Sequence, residues 1–258
     1  MRLTVVGSSG SMSGPRSAAS CYLVQASDGD RTWNVLLDLG SGAFGSLMRY
    51  LDPALIDAVV LSHLHADHVV DMTGLEVYLR YGPGGALPPV RVLGPAATPE
   101  RVAALTMDTV ESLGESFEFE TLDAGSVHQV GPLRIEPREV NHPIEAYGLR
   151  ITGPSTTGEG DVVLGYSGDT DTCDGLLEVA ADADLLLCEA AFQEGRDAVR
   201  GIHLTGLRAG QAAHQAGAKH LVLTHLQPWN DAETIRTEAR SAFGGPIGLA
   251  EPGATWEI

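Results

Sequence analysis

Cationic side chains are scarce in this sequence, and the shortage excludes a large class of partners. Sixteen Lys and Arg stand against 34 Asp and Glu, a formal net charge of −18 with a pI near 4.7. A surface of that sign repels a phosphate backbone, so general nucleic-acid binding is disfavoured. Cysteine is also rare. Cys21, Cys173 and Cys188 are odd in number and form no C-x-x-C pair, which fits reduced thiols in a cytoplasmic protein and assigns them no chemical role. No apolar run approaches the roughly 18 to 20 residues that cross a bilayer. The opening MRLTVVGSSG is too short in apolar residues for a secretory signal. The expectation is a cytoplasmic chain with no membrane partner. Glycine is the one excess, with 31 of 258 residues, about 12% against a usual level near 7%, and implies many tight turns between short elements. With 43% hydrophobic and 19% charged residues, the chain reads as one folded domain spanning 1–258 with a sizeable core.

Apolar runs read as strands: CYLVQA, WNVLLDLG and DAVVLSH in the first half, then LRIEPREVNH, YGLRITG, DVVLGYSGD, DLLLCEAA and HLVLTHLQPW from about 126 onward. Helical spacing predicts helices at about 67 to 80, 98 to 113, 205 to 216 and 232 to 243. GPGGALPP (82–89) and TGPSTTGEG (152–160) are turn-rich loops, the second a hairpin tip. Small residues at Ala209, Ala212, Ala213 and Ala216 predict close packing of one helix against a sheet. Two successive sets of strands and helices predict an α/β architecture of four layers, an αββα sandwich of two mixed β-sheets with outer helices.

The chemistry concentrates in LSHLHADH. His63, His65, Asp67 and His68 fall within six residues, directly after an apolar strand and before a helical pattern. Imidazoles at i and i+2 turn to one side where a strand unwinds, and Asp67 and His68 on the next turn reach a second ion nearby. That is the layout of a site in which two metals about 3.5 to 4 Å apart share a bridging hydroxide. Structural zinc would more often use thiolates in closed sets. His142, Asp169 and His225 each end a strand and complete the pattern. The assignment is His63, His65 and His142 to one metal, Asp67, His68 and His225 to the other, and Asp169 as a carboxylate bridging both. His128, His214 and His220 read as structural or surface residues. A single histidine in such a loop is more often hydrogen-bonded than ligating; the joint pattern reverses that balance.

The H-x-H-x-D-H segment with the later His, Asp and His resembles the signature of the metallo-β-lactamase superfamily, and the resemblance covers the whole chain. LLLCEAAF, GIHLTGLRAGQAA and HLVLTH resemble the branch holding ribonuclease Z and related phosphodiesterases. VVGSSGSMSGPRSAASCYLV, VNHPIEAYGLRIT and THLQPW resemble small actinobacterial members described as atypical class II cyclic-nucleotide phosphodiesterases. That resemblance implies hydrolysis of 3′,5′-cyclic AMP by two divalent ions per chain, zinc first, with manganese or iron open because His/Asp sites select weakly. It implies that His203 lies over the metals as general acid, with Asp67 the other catalytic residue. Glu189 either orients His203 or is a plain surface carboxylate. Asp38 resembles the superfamily's buried acid that supports the metal loop without ligating. The loop 8–20, with Arg16 and Ser20, offers donors for a phosphate or ribose, although Gly/Ser-rich loops are more often turns. Pro228 and Trp229 read as packing beside a buried strand end.

The resemblance leaves rivals. Ribonuclease Z activity shares the ligands and His203, but that family usually inserts a tRNA-clasping arm between the equivalents of His142 and Asp169. Here 26 residues separate them, most of them strand, and the basic footprint is missing. A lactone, thioester or β-lactam substrate would use the same metals, as would a non-enzymatic metal-binding module. The expected partner is a small phosphodiester, and dimers are common in the family, leaving a homodimer open.

Overall fold

The computed structural model describes residues 1–258. Its first half contains strands β1 (Arg2–Ser9), β2 (Ala18–Ala19), β3 (Cys21–Ser27), β4 (Thr32–Leu37), β5 (Ala58–Val60), β6 (Val90–Gly94) and β7 (Phe117–Thr121). Helices α1 (Ala43–Leu47), α2 (Ala66–Val69), α3 (Met72–Tyr81), α4 (Thr98–Thr106) and α5 (Val110–Leu113) accompany them. The second half contains β8 (His128–Val130), β9 (Leu133–Glu139), β10 (Tyr147–Pro154), β11 (Asp161–Tyr166), β12 (Leu185–Glu189), β13 (Leu221–Thr224), β14 (Ile247–Leu249) and β15 (Thr255–Glu257), with α6 (Asp174–Ala180), α7 (Gly206–Gln215) and α8 (Ala232–Arg240).

These form two sheets. One runs β15-β1-β3-β4-β5-β6-β7 with β2 beside β1, the other β14-β13-β12-β11-β10-β9-β8. Each is mixed: the β1-β3-β4 and β8-β9-β10-β11 ladders are antiparallel, while β4 to β7 and β11 to β14 are parallel. Strands alternate their side chains between two apolar environments, which is why they read as unbroken hydrophobic runs. Val35 and Leu37 join Leu149, Ile151 and Leu187 between the sheets, whereas Leu36 between them faces the Met72, Leu75 and Leu79 flank of α3. Leu186 and Leu223 face α6 to α8 in the same way. The αββα sandwich is thus the observed fold, and no helix is long and apolar enough to cross a membrane.

The predicted 67–80 helix is two pieces. Asp71 interrupts it by donating its N–H to the Leu39 carbonyl at 3.1 Å and accepting the Phe44 N–H at 2.9 Å. The predicted 98–113 helix also breaks, at Met107 in the left-handed region (φ 57°), after which Thr109 caps α5 through the Ser112 N–H. Strands β1, β2, β6, β7, β8, β14 and β15 were not expected, and β1 and β2 take in both ends of the expected 8–20 loop. Segment 155–160 is the expected hairpin tip between β10 and β11. Helix α7 packs closely on α8 as well as on its sheet: a Cβ at Gly206 or Gly210 would meet the Ile235 or Ala239 carbonyl at 2.2 and 2.4 Å.

Candidate metal centre

The pairing directions make β4, β5, β9, β11, β12 and β13 end on the same side of the sandwich. Donor side chains follow directly. His63 lies just past β5, His65 caps α2, and Asp67 and His68 occupy its first turn. His142, Asp169 and His225 follow β9, β11 and β13, and a backbone bridge from His63 to Ala146 ties the two sheets together at this edge. Two glycines allow the close approach. A Cβ on Gly40 would lie 1.9 Å from the Asp67 carbonyl oxygen, and one on Gly10 would lie 2.1 Å from that of His225. Asp38 and His225 themselves hold left-handed backbone, with φ of 59° and 56°, a strain that surrounding structure must impose.

The expected donors fall into two adjacent groups, His63/His65/His142 and Asp67/His68/Asp169/His225, and a further group, Asp169/Glu189/His203, shares Asp169 with the second. Nδ1 of His65 stands 3.2 Å from Nε2 of His63 and 3.1 Å from Nε2 of His142. Those separations match the edge, about 3.3 Å, of a tetrahedron whose nitrogens sit about 2.0 to 2.1 Å from zinc. Asp169 reaches both groups: Oδ1 is 3.2 Å from Nε2 of His68, and Oδ2 is 3.3 and 3.7 Å from Nε2 of His225 and His63. Asp67 Oδ2, His68 Nε2 and Asp169 Oδ1 are all buried without a hydrogen-bond partner. Buried polar atoms are ordinarily satisfied; three orphans facing one another are what a cation would satisfy, so the residues fit a divalent metal site.

A second set of contacts aims the rings. Asp38 is fully buried and accepts from the N–H and hydroxyl of Ser62 at 2.7 and 2.8 Å, from the Tyr166 hydroxyl at 2.6 Å, and from Nδ1 of His68 at 2.7 Å. Nδ1 of His142 donates to the Ile202 carbonyl at 2.9 Å. Nδ1 of His225 meets the Ser20 hydroxyl at 2.9 Å. The partners of His68 and His142 leave their Nε2 lone pairs pointing inward, whereas Nε2 of His225 also accepts the Ser11 N–H at 3.2 Å. Burial pushes His63, His65, His142 and His225 down toward the neutral form. For Asp67 and Asp169 burial works the other way, but the surrounding histidines outweigh it and hold both ionised. His68 is the exception: burial disfavours its charge, but Asp169 and Asp38 outweigh that and push the ring well above the usual imidazole range, so a metal would have to displace its proton. The other four histidines and the ionised carboxylates are already in the state that metal binding requires.

His203 and Glu189 share the edge of this cluster. Nδ1 of His203 bonds Oε1 of the fully buried Glu189 at 2.9 Å and lies 3.9 Å from Oδ2 of Asp169. Glu189 is itself fixed by the N–H groups of Thr170 and Ala191 at 2.9 and 3.0 Å. Burial disfavours a charged His203 ring, but the Glu189 carboxylate outweighs it and the ring is pushed up to about 9. Glu189 therefore orients His203 and is no surface residue.

Other expected residues are placed elsewhere. The fully buried Ser20 spends its hydroxyl on His225, so it positions a ring instead of facing a ligand. Arg16 is exposed and lines a cleft with Ser13, Ser17, Arg49 and Tyr50 that contains none of the donors. Trp229, expected to pack, is 61% exposed, whereas Pro228 lies against Gly14. His128 is bonded to Glu120 and Ser126, and His214 and His220 stand apart from the cluster. Sequence reasoning missed Ser62, Tyr166 and Asp171. Ser62 and Tyr166 had a signal, their positions beside His63 and near the Asp169 strand end.

The beta-lactamase superfamily domain matches residues 33–226, and the chain belongs to that superfamily, in its ribonuclease Z-like branch. Among particular relatives, it is 42% identical to the Mycobacterium leprae protein ML1173, across 100% of this chain and 89% of that one. It is 32% identical to the probable metallo-hydrolase YhfI of Bacillus subtilis over 100% of both. The crystal structure of YhfI superposes with a TM-score of 0.85, covering 100% of this chain and 98% of that one at 29% identity. Ribonuclease Z of Myxococcus xanthus is 29% identical over 87% of this chain and 88% of its own. The protein is a metallo-hydrolase of this superfamily.

Proposed function

We propose that the protein is a phosphodiesterase that hydrolyses a cyclic nucleotide, 3′,5′-cyclic AMP to 5′-AMP. In this reading His63, His65 and His142 would hold one divalent ion and Asp67, His68 and His225 a second, with Asp169 within reach of both groups and zinc the first candidate. When bound, such ions supply a nucleophile near neutral pH and neutralise the phosphate oxygens. The observation that carries the reading is the His203–Glu189 pair beside Asp169. Ring opening of a cyclic phosphodiester expels an alkoxide, which needs a proton as it leaves. Water adds to phosphorus and sheds a proton, the P–O3′ bond breaks, and the 3′ oxygen takes a proton from Nε2 of His203 while Glu189 holds Nδ1; the proton shed by water restores the His203 ring. Glu189 stabilises the charged ring before transfer and keeps it from rotating away.

The short hairpin between His142 and Asp169 and the −18 charge favour a small diester over a folded RNA. The ribonuclease Z relative supports diester chemistry in general. Metal-replete protein incubated with 3′,5′-cyclic AMP is expected to release 5′-AMP, and chelator treatment to stop it. Cleavage of precursor tRNA without turnover of cyclic AMP would transfer the assignment to the ribonuclease reading.

A further inference from the structure

Asp171 lies two residues beyond Asp169 and belongs to no donor group, yet its carboxylate is among the most heavily bonded in the chain. The residue is 1% exposed. Oδ2 accepts from Nε of Arg200 at 2.6 Å and from the Gly201 N–H at 2.8 Å. Oδ1 accepts from the Thr172 N–H at 2.7 Å, from Nη2 of Arg200 at 3.1 Å and from Nη1 of Arg208 in the first turn of α7. Its own N–H donates to the carbonyl of Asn141, the residue before His142, at 2.9 Å.

Asp171 thus gathers, by its backbone N–H, the strand end that carries His142 and, by its carboxylate, the segment that carries His203, both at the strand end that carries Asp169. That last segment needs an anchor. Residues 196–203 contain neither helix nor strand, and Arg200 is 62% exposed at the surface. Two residues past Arg200, the Ile202 carbonyl orients His142, and the next residue is His203 itself. Glu189 holds the His203 ring at Nδ1 and, past His203, the Leu204 carbonyl takes the Phe192 N–H at 2.9 Å; on the Arg200 side the segment is tied down by Asp171.

We propose that Asp171 is a positioning residue for proton donation: by clamping Arg200 and Gly201 it sets Nε2 of His203 against the leaving oxygen. This rests on the reading of His203 as proton donor. A displaced donor matters only when the leaving group needs a proton. Displacement of about 1 Å slows such a step by about 10²-fold.

The test compares two diesters with the metal-loaded protein. 3′,5′-cyclic AMP expels an alkoxide, whereas bis(p-nitrophenyl) phosphate expels a stabilised phenolate. Asp171→Asn is expected to keep its metal content and KM, lower kcat on cyclic AMP by about 10- to 10²-fold, and change kcat on the aryl diester by less than about twofold. Arg200→Ala, which removes an exposed partner and leaves the buried carboxylate bonded to Arg208, is expected to show the same selectivity with a smaller loss. Hydrogen exchange adds a readout free of turnover: Asp171→Asn should speed exchange in residues 196–203 while leaving β11 and β12 unchanged. Equal losses on both diesters, or no loss on either, would overturn the proposal. A His203→Ala variant that slows both diesters equally would instead remove the proton-donor reading, and the inference with it.

Discussion

The two halves of the molecule build the same edge in opposite ways. The first sheet delivers four donors from one stretch of six residues, His63 to His68, shaped by a strand end, a helix cap and a single helical turn. The second sheet delivers His142, Asp169 and His225, with Glu189 behind them, from four separate strand ends that meet only because β9, β11, β12 and β13 all point the same way. Local chain geometry governs one set and tertiary register the other. A fault in the first half therefore moves several donors together, while a fault in the second moves one at a time.

The sharpest way to break the contrast is Asp169→Ala, because this one residue serves both groups. Bound metal is expected to fall from about two ions per chain toward one or none, with activity lost. Metal analysis of the purified variant checks it, and an undiminished count would refute the bridge. His203→Ala touches neither group of donors and should keep the metals while slowing turnover of cyclic AMP by about 10² to 10⁴; loss of metal there would make it a ligand. Asp38→Asn leaves the donors in place but removes charge from a carboxylate that accepts four hydrogen bonds. It should destabilise the fold by about 2 to 4 kcal/mol in denaturant titration and weaken the Asp67/His68 side of the site about 10- to 100-fold. Gly40→Ala and Gly10→Ala sharpen the comparison directly. The first pushes on the Asp67 carbonyl and should disturb several donors of the six-residue stretch, while the second pushes on the His225 carbonyl and should weaken one ion only. Stepwise metal titration separates the two outcomes. The smallest effect belongs to Ser20→Ala, which frees Nδ1 of His225 at a loss of about 1 kcal/mol, read as a roughly fivefold weaker metal affinity.

Legibility followed the same division. The six-residue stretch is readable because side chains so close in sequence must be close in space, and the strands buried on both faces announce themselves as continuous apolar runs. The last three donors were readable only as strand-end residues. What escaped depends on distant partners. FEFET in β7 is the exception, since its alternation of aromatic and acidic residues is a local strand signal, whereas the three-residue β15 exists through its register with β1. Asp171 reads as one more acid in a polar loop because Arg200 and Arg208 lie 29 and 37 residues further on. The exposure of Trp229 was equally hidden, since the contact that Pro228 makes with Gly14 decides which side chain after β13 packs. The Asp71 interruption of the 67–80 helix likewise depends on Leu39 and Phe44, far outside any local window.

Strand β15 leaves the second half of the chain and pairs with β1 at the margin of the first sheet. The molecule is therefore clasped, not merely stacked. A chain cut in the turn at 122–127 would yield one fragment carrying the six-residue donor stretch and another carrying the remaining donors plus a strand that belongs to its partner. Neither piece could complete the edge by itself, and the returning strand gives the second a specific grip on the first. Mixing the two should restore metal uptake with a second-order dependence on fragment concentration, which would make this sandwich a natural split reporter of association.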